Sequence, residues 1–150
     1  NPAPGVFFEA AFNNDVEAIK KAIADGKDID QRNKDGSTAL LTAATLGSAE
    51  AAIALINGGA DVDMKNQRGD TPLMAASFFC REEIVKALLD KGADKDIANI
   101  DGNRPIDAVA TPWSKELEEL YRFMEQAITG IELDLENIRE TRPKIAEMLR

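Results

Sequence analysis

The chain has 150 residues, of which 44% are hydrophobic, and a net charge of −9 at neutral pH; these values suit one soluble domain with a continuous core. No apolar run approaches the roughly 18 residues of a membrane span, and the negative charge argues against nucleic acid and anionic lipid as ligands. One cysteine and no histidine exclude an internal disulfide and a zinc site of the usual ligand types, so no cofactor is expected.

The first four residues read Asn-Pro-Ala-Pro, with no methionine and no charged-then-apolar leader. They are either a mature end left by signal cleavage or the start of a trimmed sequence. The first interpretation is favoured here. It predicts an exported or periplasmic protein rather than a cytoplasmic one.

Two sequence patterns then recur every 33 residues. Residues 35–40, 68–73 and 101–106 read DGSTAL, RGDTPL and DGNRPI. In a second series, a glycine is followed two residues later by an aspartate, giving the pairs Gly26 and Asp28, Gly59 and Asp61, and Gly92 and Asp94. A fixed period of this length is typical of stacked repeat proteins.

Each period predicts a tight turn followed by two antiparallel helices. The glycine of the turn permits positive φ. A threonine, Thr38 or Thr71, then caps the first helix. In two of the periods a proline, Pro72 or Pro105, stands at the first helical position. Alanine pairs in this first helix allow close helix packing. The second helix carries larger apolar residues at helical spacing and ends at glycines that adopt the left-handed conformation.

Residues 71–76 (TPLMAA) and 88–94 (LLDKGAD) together resemble the ankyrin repeat, which has a period of 33 and a Thr-Pro-Leu-His-x-Ala signature. The resemblance covers roughly residues 5–113, as three units and a partial fourth. It implies an all-α solenoid of β-turn fingers and antiparallel helix pairs. Leu41, Met74 and Asp107 stand where the family prefers histidine. Arg104 replaces the capping threonine, which puts the fourth cap in doubt.

Residues 112–150 depart from the repeat. Ser114 is expected to cap an amphipathic helix that stops at Gly130, and residues 131–136 alternate apolar and acidic, which predicts an extended segment. Two short helices follow, one around Ile138 and one over residues 143–149. The apolar face of the amphipathic helix comprises Leu117, Leu120, Tyr121, Met124 and Ile128.

Two roles are open for this C-terminal extension. We predict a repeat array over residues 1–111 and a helical cap over 112–150, packed on the array as one domain. The alternative is a docking element for a partner. Ankyrin arrays with a tail of this kind resemble a bacterial exported type.

No sequence feature favours catalysis. The aspartate pairs 28/30, 61/63 and 94/96 lack the glycine and distal glutamate of a calcium loop, and the resemblance implies hairpin hydrogen bonding for the first of each pair. Cys80 has no histidine to activate it and is expected to be a packed residue at a helix junction. An enzyme is therefore not expected.

The resemblance implies that a partner binds the fingers and the first helices of the units. The predicted function is a monomeric protein-interaction module whose concave surface binds a basic or mixed-charge partner. Phe78 and Phe79 have two interpretations, since both could be surface anchors or one of them could pack on a neighbouring helix. Alternatives are a structural or inhibitory partner of an exported enzyme, and a hydrolase with an unrecognised carboxylate site. The predicted partner-binding residues are Lys34, Asp35, Ser37, Thr45, Leu46, Gln67, Arg68, Asp70, Phe78, Phe79, Ile100, Asp101 and Asn103.

Overall fold

The structure, a computed structural model, describes residues 5–150. The predicted mature end left by signal cleavage falls on residues 1–4, which lie outside the described residues. The described part contains helices and no strand, and none of these helices combines the length and apolar composition that a bilayer crossing requires. The helices are α1 Val6–Asn13, α2 Val16–Ala24, α3 Ala39–Leu46, α4 Ala49–Asn57, α5 Pro72–Phe78, α6 Glu82–Asp90, α7 Asp107–Ala110, α8 Lys115–Ala127 and α9 Leu135–Leu149.

The helices form two stacked rows, which confirms the predicted all-α solenoid. Helices α1, α3, α5 and α7 pack in sequence as an inner row, and α2, α4, α6 and α9 pack as an outer row. We number the helix pairs as units 1 to 4, with α7 and α9 forming unit 4. Ala11, Ala43, Ala44 and Ala76 are fully buried in the inner row. Their small side chains allow the inner helices to approach closely.

Threonine caps begin the inner helices of units 2 and 3, as the sequence predicts. The hydroxyl oxygens of Thr38 and Thr71 accept hydrogen bonds from the backbone N–H groups of Leu41 and Met74, each at 3.3 Å. Unit 4 lacks this cap. There the backbone N–H of Arg104 donates to Asp107 Oδ2 at 2.8 Å, and α7 is only four residues long.

The aspartate pairs form a hydrogen-bonded ladder between successive units. Asp28 Oδ1 accepts from the backbone N–H of Asp30 at 3.0 Å, and Asp30 Oδ1 accepts from the N–H of Asp61 at 2.9 Å. The same two bonds recur one unit later through Asp61, Asp63 and Asp94. In the pairs 28/30 and 61/63, both carboxylates therefore accept hydrogen bonds from backbone N–H groups. The resemblance implied such bonds for the first aspartate of each pair only.

Unit 4 differs from the expected cap in two ways. Residues 135–149 form one continuous helix, α9, with Pro143 in its interior, so the predicted pair of short helices is wrong. The predicted extended segment is also too long, because α9 begins at Leu135. Asp134 starts the helix earlier than expected, since its carboxylate accepts from the backbone N–H of Asn137 at 3.1 Å.

Helix α9 takes the position of an outer helix. It packs on α6 and α7, and its buried Ile145, Ala146 and Leu149 follow the spacing of Ile84, Val85 and Leu88 in α6. This spacing of buried residues recurs 61 residues after its occurrence in α6, whereas the repeat period is 33. Residues 111–134, including α8, are therefore an insertion between the two helices of unit 4.

Candidate functional site

Asparagine side chains shape the three fingers, which we define as residues 33–37, 66–70 and 99–103. Asn33 Oδ1 accepts two backbone N–H groups of its own finger, from Asp35 at 2.9 Å and Ser37 at 3.0 Å. Asn66 and Asn99 repeat both bonds one and two units later. The sequence analysis missed these asparagines, although they recur with the same 33-residue period.

Backbone bonds join one finger to the next. The N–H of Gln67 donates to the carbonyl of Asp35 at 3.3 Å, and the N–H of Ile100 donates to the carbonyl of Arg68 at 2.9 Å. Lys34 belongs to the same network, because Gln67 Nε2 donates a hydrogen bond to the Lys34 carbonyl at 3.1 Å. The fingers therefore form a continuous, hydrogen-bonded edge above the inner helices.

Helix α8 contacts the inner row of helices. Tyr121 of α8 stacks on Phe78 of α5, with ring centroids 4.6 Å apart, and its hydroxyl donates to the carbonyl of Phe78 at 2.6 Å. Beyond α8, Gly130 lies against the ring of Phe12 in α1; a Cβ atom built on this glycine would be 2.8 Å from Phe12 Cε2. The inserted segment thus reaches from unit 4 back to unit 1.

Most of the apolar face of α8 is only partly covered, and its predicted role in a cap stays a prediction. Of the 13 residues of α8, only Tyr121 is buried. Leu117 and Met124 are half-buried, and Leu120 is 44% exposed. These side chains line the concave side of the array, together with Asp107 and Ala108 of unit 4.

Tyr121 is held in place from both sides. Trp113 stacks on it at 5.9 Å. The guanidinium of Arg142, in α9, donates to the Tyr121 hydroxyl at 3.0 Å and to the carbonyls of Ala108 at 2.8 Å and Thr111 at 2.6 Å. Burial raises the pKa of Tyr121 to about 12, Cys80 nearby adds to the rise, and Arg142 opposes it. One aromatic residue therefore fastens α8 to both α5 and α9.

A groove of about 700 Å³ runs between α8 and the fingers. The inner helices α3, α5 and α7 form its floor, fingers 2 and 3 form one wall, and α8 forms the other. A volume of this size is in the range of ligand-binding clefts. The apolar side chains that line it are those of Leu41, Met74, Ala75, Phe78, Phe79, Ala108, Leu117, Leu120, Met124 and Ile128.

The charged residues of the groove are mainly acidic. It is lined by the carboxylates of Asp70, Asp101 and Asp107 and by a single guanidinium, that of Arg68. Arg68 pairs with Asp70 at 3.6 Å and with Asp101 at 3.2 Å, so its charge is already compensated. Arg104, outside the lining, pairs with Asp107 at 3.5 Å. Three carboxylates thus face two guanidinium groups, and the remaining negative charge favours a cationic group.

Phe78, the last residue of α5, and Phe79, which follows it, have different environments. Phe79 is only 4% exposed, which fits the interpretation that one ring of the pair is packed within the fold. Its ring meets Phe78 edge-on at 4.9 Å, and the guanidinium of Arg81 lies 5.7 Å from its centroid. Arg81 also donates to the carbonyl of Thr45 at 2.9 Å. Phe78 is half-buried and remains accessible from the groove.

Gly47 leaves room for this arrangement. A Cβ atom at that position would be 2.8 Å from Arg81 Cζ, and its φ of +79° disfavours other residues. Burial lowers the pKa of Arg81. The turn that ends α3 thus allows Arg81 to lie over Phe79.

The groove brings together about half of the predicted partner-binding residues. Those that line it are Thr45, Arg68, Asp70, Phe78, Phe79, Asp101 and Asn103. Those outside it are Lys34, Asp35, Ser37, Leu46, Gln67 and Ile100. Among the latter, Ile100 is the most exposed apolar side chain, at 70%, and stands at the tip of finger 3.

Cys80 lies at the junction of α5 and α6, as expected, and is 6% exposed. Its thiol donates to the carbonyl of Ile138 in α9 at 3.7 Å. Burial raises its pKa to about 11, against the opposing effect of Arg142 and Arg81. The thiol is therefore protonated at neutral pH and contributes packing. Within residues 5–150, no group of three or more potential metal ligands is assembled.

Comparison with known proteins agrees with the repeat geometry. The family model for ankyrin repeats (3 copies) matches residues 7–99, more than half of the chain. No curated protein matches the chain. Ankyrin repeats are generally protein–protein interaction modules, and the family is typically non-enzymatic. The chain belongs to the ankyrin-repeat family.

Proposed function

We propose that this protein is a binding module that holds a segment of a partner protein in the groove between fingers 2 and 3 and α8. The observation that carries the proposal is the groove itself, which combines an apolar floor centred on Phe78 with an open acidic edge. Recessed aromatic side chains dominate the energetics of protein interfaces. The fixed fingers supply a rigid, preformed surface around them.

The composition of the groove defines the chemistry of the partner. Phe78, Leu117 and Leu120 offer apolar contacts on the floor and on the α8 wall, while Asp70 and Asp101 lie on the finger wall. A segment with apolar side chains on one face and lysine or arginine on the other satisfies both. The carboxylates would mainly increase the rate of association and make it sensitive to salt.

A library of displayed linear peptides tests this proposal. We expect selected peptides to combine apolar and basic residues and to bind Leu120→Asp at least about 30-fold more weakly, the scale of an interface hot spot of about 2 kcal/mol. Phe123→Asp is the matched control, because Phe123 is also exposed on α8 but does not line the groove. Equal affinity for both variants would contradict the proposed site.

A second matched pair tests the acidic wall. Asp101 lines the groove in finger 3, and Asp35 is the equivalent residue of finger 1 outside it. For the selected peptides, Asp101→Asn should lower the association rate and reduce its salt dependence, while Asp35→Asn should change neither. The rates are measured by surface plasmon resonance at two salt concentrations.

A further inference from the structure

A second pocket, of about 350 Å³, shares only Thr111 with the lining of the groove. It lies between residues 109–113 and the face of α9 that bears Arg139, Arg142 and Arg150. These three arginines are the charged residues that line it, so the lining contains no carboxylate. The chain as a whole carries a net charge of −9. The pocket is therefore a local concentration of positive charge on an acidic protein.

Arg142 carries a charge that the described residues leave without a counter-ion. Arg142 is buried, with only 3% of its surface exposed. The three hydrogen bonds that it donates go to neutral oxygens, those of Ala108, Tyr121 and Thr111. The ion pairs formed by arginines within residues 5–150 belong to Arg68, Arg104, Arg122 and Arg150. A buried charge without an opposite charge is costly, and an anion nearby would offset that cost.

The neighbouring residues suit an anion. Arg139 is exposed and forms no ion pair within the described chain, so its guanidinium is free to bind. Arg150 is less available, because it pairs with Glu147 at 3.0 Å. Trp113 and Pro112 supply an apolar side to the pocket. Guanidinium groups bind carboxylates and phosphates through paired, charge-assisted hydrogen bonds.

We propose that this arginine pocket is a binding site for an oxyanion, either a phosphate group or a carboxylate, bound by Arg139 and Arg142 beside Trp113. The site is separate from the concave groove and does not depend on the function proposed for it. Arg142 would contribute its charge from within the fold, and Arg139 would close on the ligand from the surface. Because Arg142 also holds α7 and Tyr121, a bound anion would stabilise the last unit.

Trp113 is the only tryptophan of the chain and reports on the pocket directly. The full chain is titrated with inorganic phosphate and, separately, with a glutamate-rich peptide, at constant ionic strength. We expect a saturable change in tryptophan emission and a rise in the thermal midpoint with at least one of them. Saturation by phosphate alone identifies a phosphate group as the ligand, and saturation by the peptide alone identifies a carboxylate segment.

Arg139→Gln should weaken that binding about tenfold or more, the effect of losing one charge-assisted hydrogen bond, and should leave the fold unchanged by circular dichroism. Arg122→Gln is the matched control, since Arg122 is an exposed arginine of α8 outside the pocket, and should bind like the unmodified protein. The proposal is overturned if neither anion gives a saturable response, if chloride gives the same response, or if Arg139→Gln binds with full affinity.

Discussion

Units 1 to 3 and unit 4 use the same pair of packed helices but connect that pair in different ways. In unit 2, Gly47 and Ser48 alone join the inner helix α3 to the outer helix α4, whereas residues 111–134 separate α7 from α9 in unit 4. A short link leaves the concave face open. The long link crosses that face and gives the groove its second wall.

Units 1 to 3 and unit 4 also differ in the polar contacts that stabilise them. Polar bonds in the regular units recur with the 33-residue period. Those of Asn33 and Asp28 and their equivalents are local bonds to backbone, and those of Asp30 and Asp63 join neighbouring units. Unit 4 depends instead on single, long-range contacts of Tyr121 and Arg142. Its conformation therefore rests on a few side chains, and changing one of them should affect α8 while leaving units 1 to 3 folded.

Removal of α9 should have the largest effect. A chain that ends at residue 134 loses the buried side chains of Ile138, Ile145 and Leu149 and exposes the faces of α6 and α7. Each buried aliphatic side chain contributes about 1.5–3 kcal/mol, so stability should fall by several kcal/mol. Urea unfolding monitored by circular dichroism measures this loss.

The matched variant retains α9 and removes the insertion. Residues 111–134 are replaced by a short link like that of unit 2, Gly47-Ser48. The removed segment contains the buried Tyr121 and Ile131 and two acceptors of Arg142, those of Tyr121 and Thr111. This chain should therefore keep a cooperative transition and lose less stability than the chain without α9. Loss of stability equal to that caused by deleting α9 would show that α8 is part of the cap, as the sequence analysis expected.

Alkaline pH should destabilise the region around unit 4. Folding raises the pKa of Cys80 from 9.0 to about 11 and that of Tyr121 from 10.0 to about 12. The unfolded chain therefore loses these protons first, and stability falls as the pH rises from about 9 to about 12. The two groups together should account for a loss on the order of a few kcal/mol over this range.

Urea unfolding at about pH 8 and about pH 11 measures this slope, and Tyr121→Phe and Cys80→Ala should each reduce it. Tyr121→Phe lowers stability at both pH values, because it removes the hydrogen bonds that the hydroxyl forms with Phe78 and Arg142. The quantity to compare is therefore the change in the free energy of unfolding between the two pH values. A slope that neither substitution changes would show that other groups titrate in this range.

The smallest effect should come from the caps. Thr71→Ala removes a buried cap of unit 3 and should cost about 1 kcal/mol. Asp107→Ala removes a bond of the opposite sense in unit 4, in which the partly exposed carboxylate accepts from the N–H of Arg104 three residues earlier, and should cost less. Thermal unfolding of the two variants compares them. A larger loss for Asp107→Ala would reverse the proposed contrast between regular and interrupted units.

The regular units were predictable because their signals are local and repeated. Thr38, Thr71 and the Asp-containing turns recur at one spacing, so the caps, the helix pairs and their order follow from the sequence. The exception is Phe79. Phe78 and Arg81 both lie against its ring, and no sequence pattern indicates the direction of side chains at that junction.

The path of α8 was not predictable in the same way. Its amphipathic pattern indicates an apolar face but does not identify the surface that this face meets. Two signals could have helped, namely the delayed return of the outer-helix spacing at Ile145 and Leu149, and the family histidine positions Leu41 and Met74, which line the groove. The arginine pocket likewise depends on α9 being one helix, which places Arg139 and Arg142 on the same face.

The contact between Phe12 and Gly130 tests the path of the insertion most directly, since these residues lie in unit 1 and in the segment that leaves α8. Nuclear Overhauser effects from the ring protons of Phe12 to the α protons of Gly130, together with those between the rings of Tyr121 and Phe78, should be observed in the full chain. Effects from Tyr121 to the end of α6, without any between Phe12 and Gly130, would place α8 on the end of the array and contradict this account.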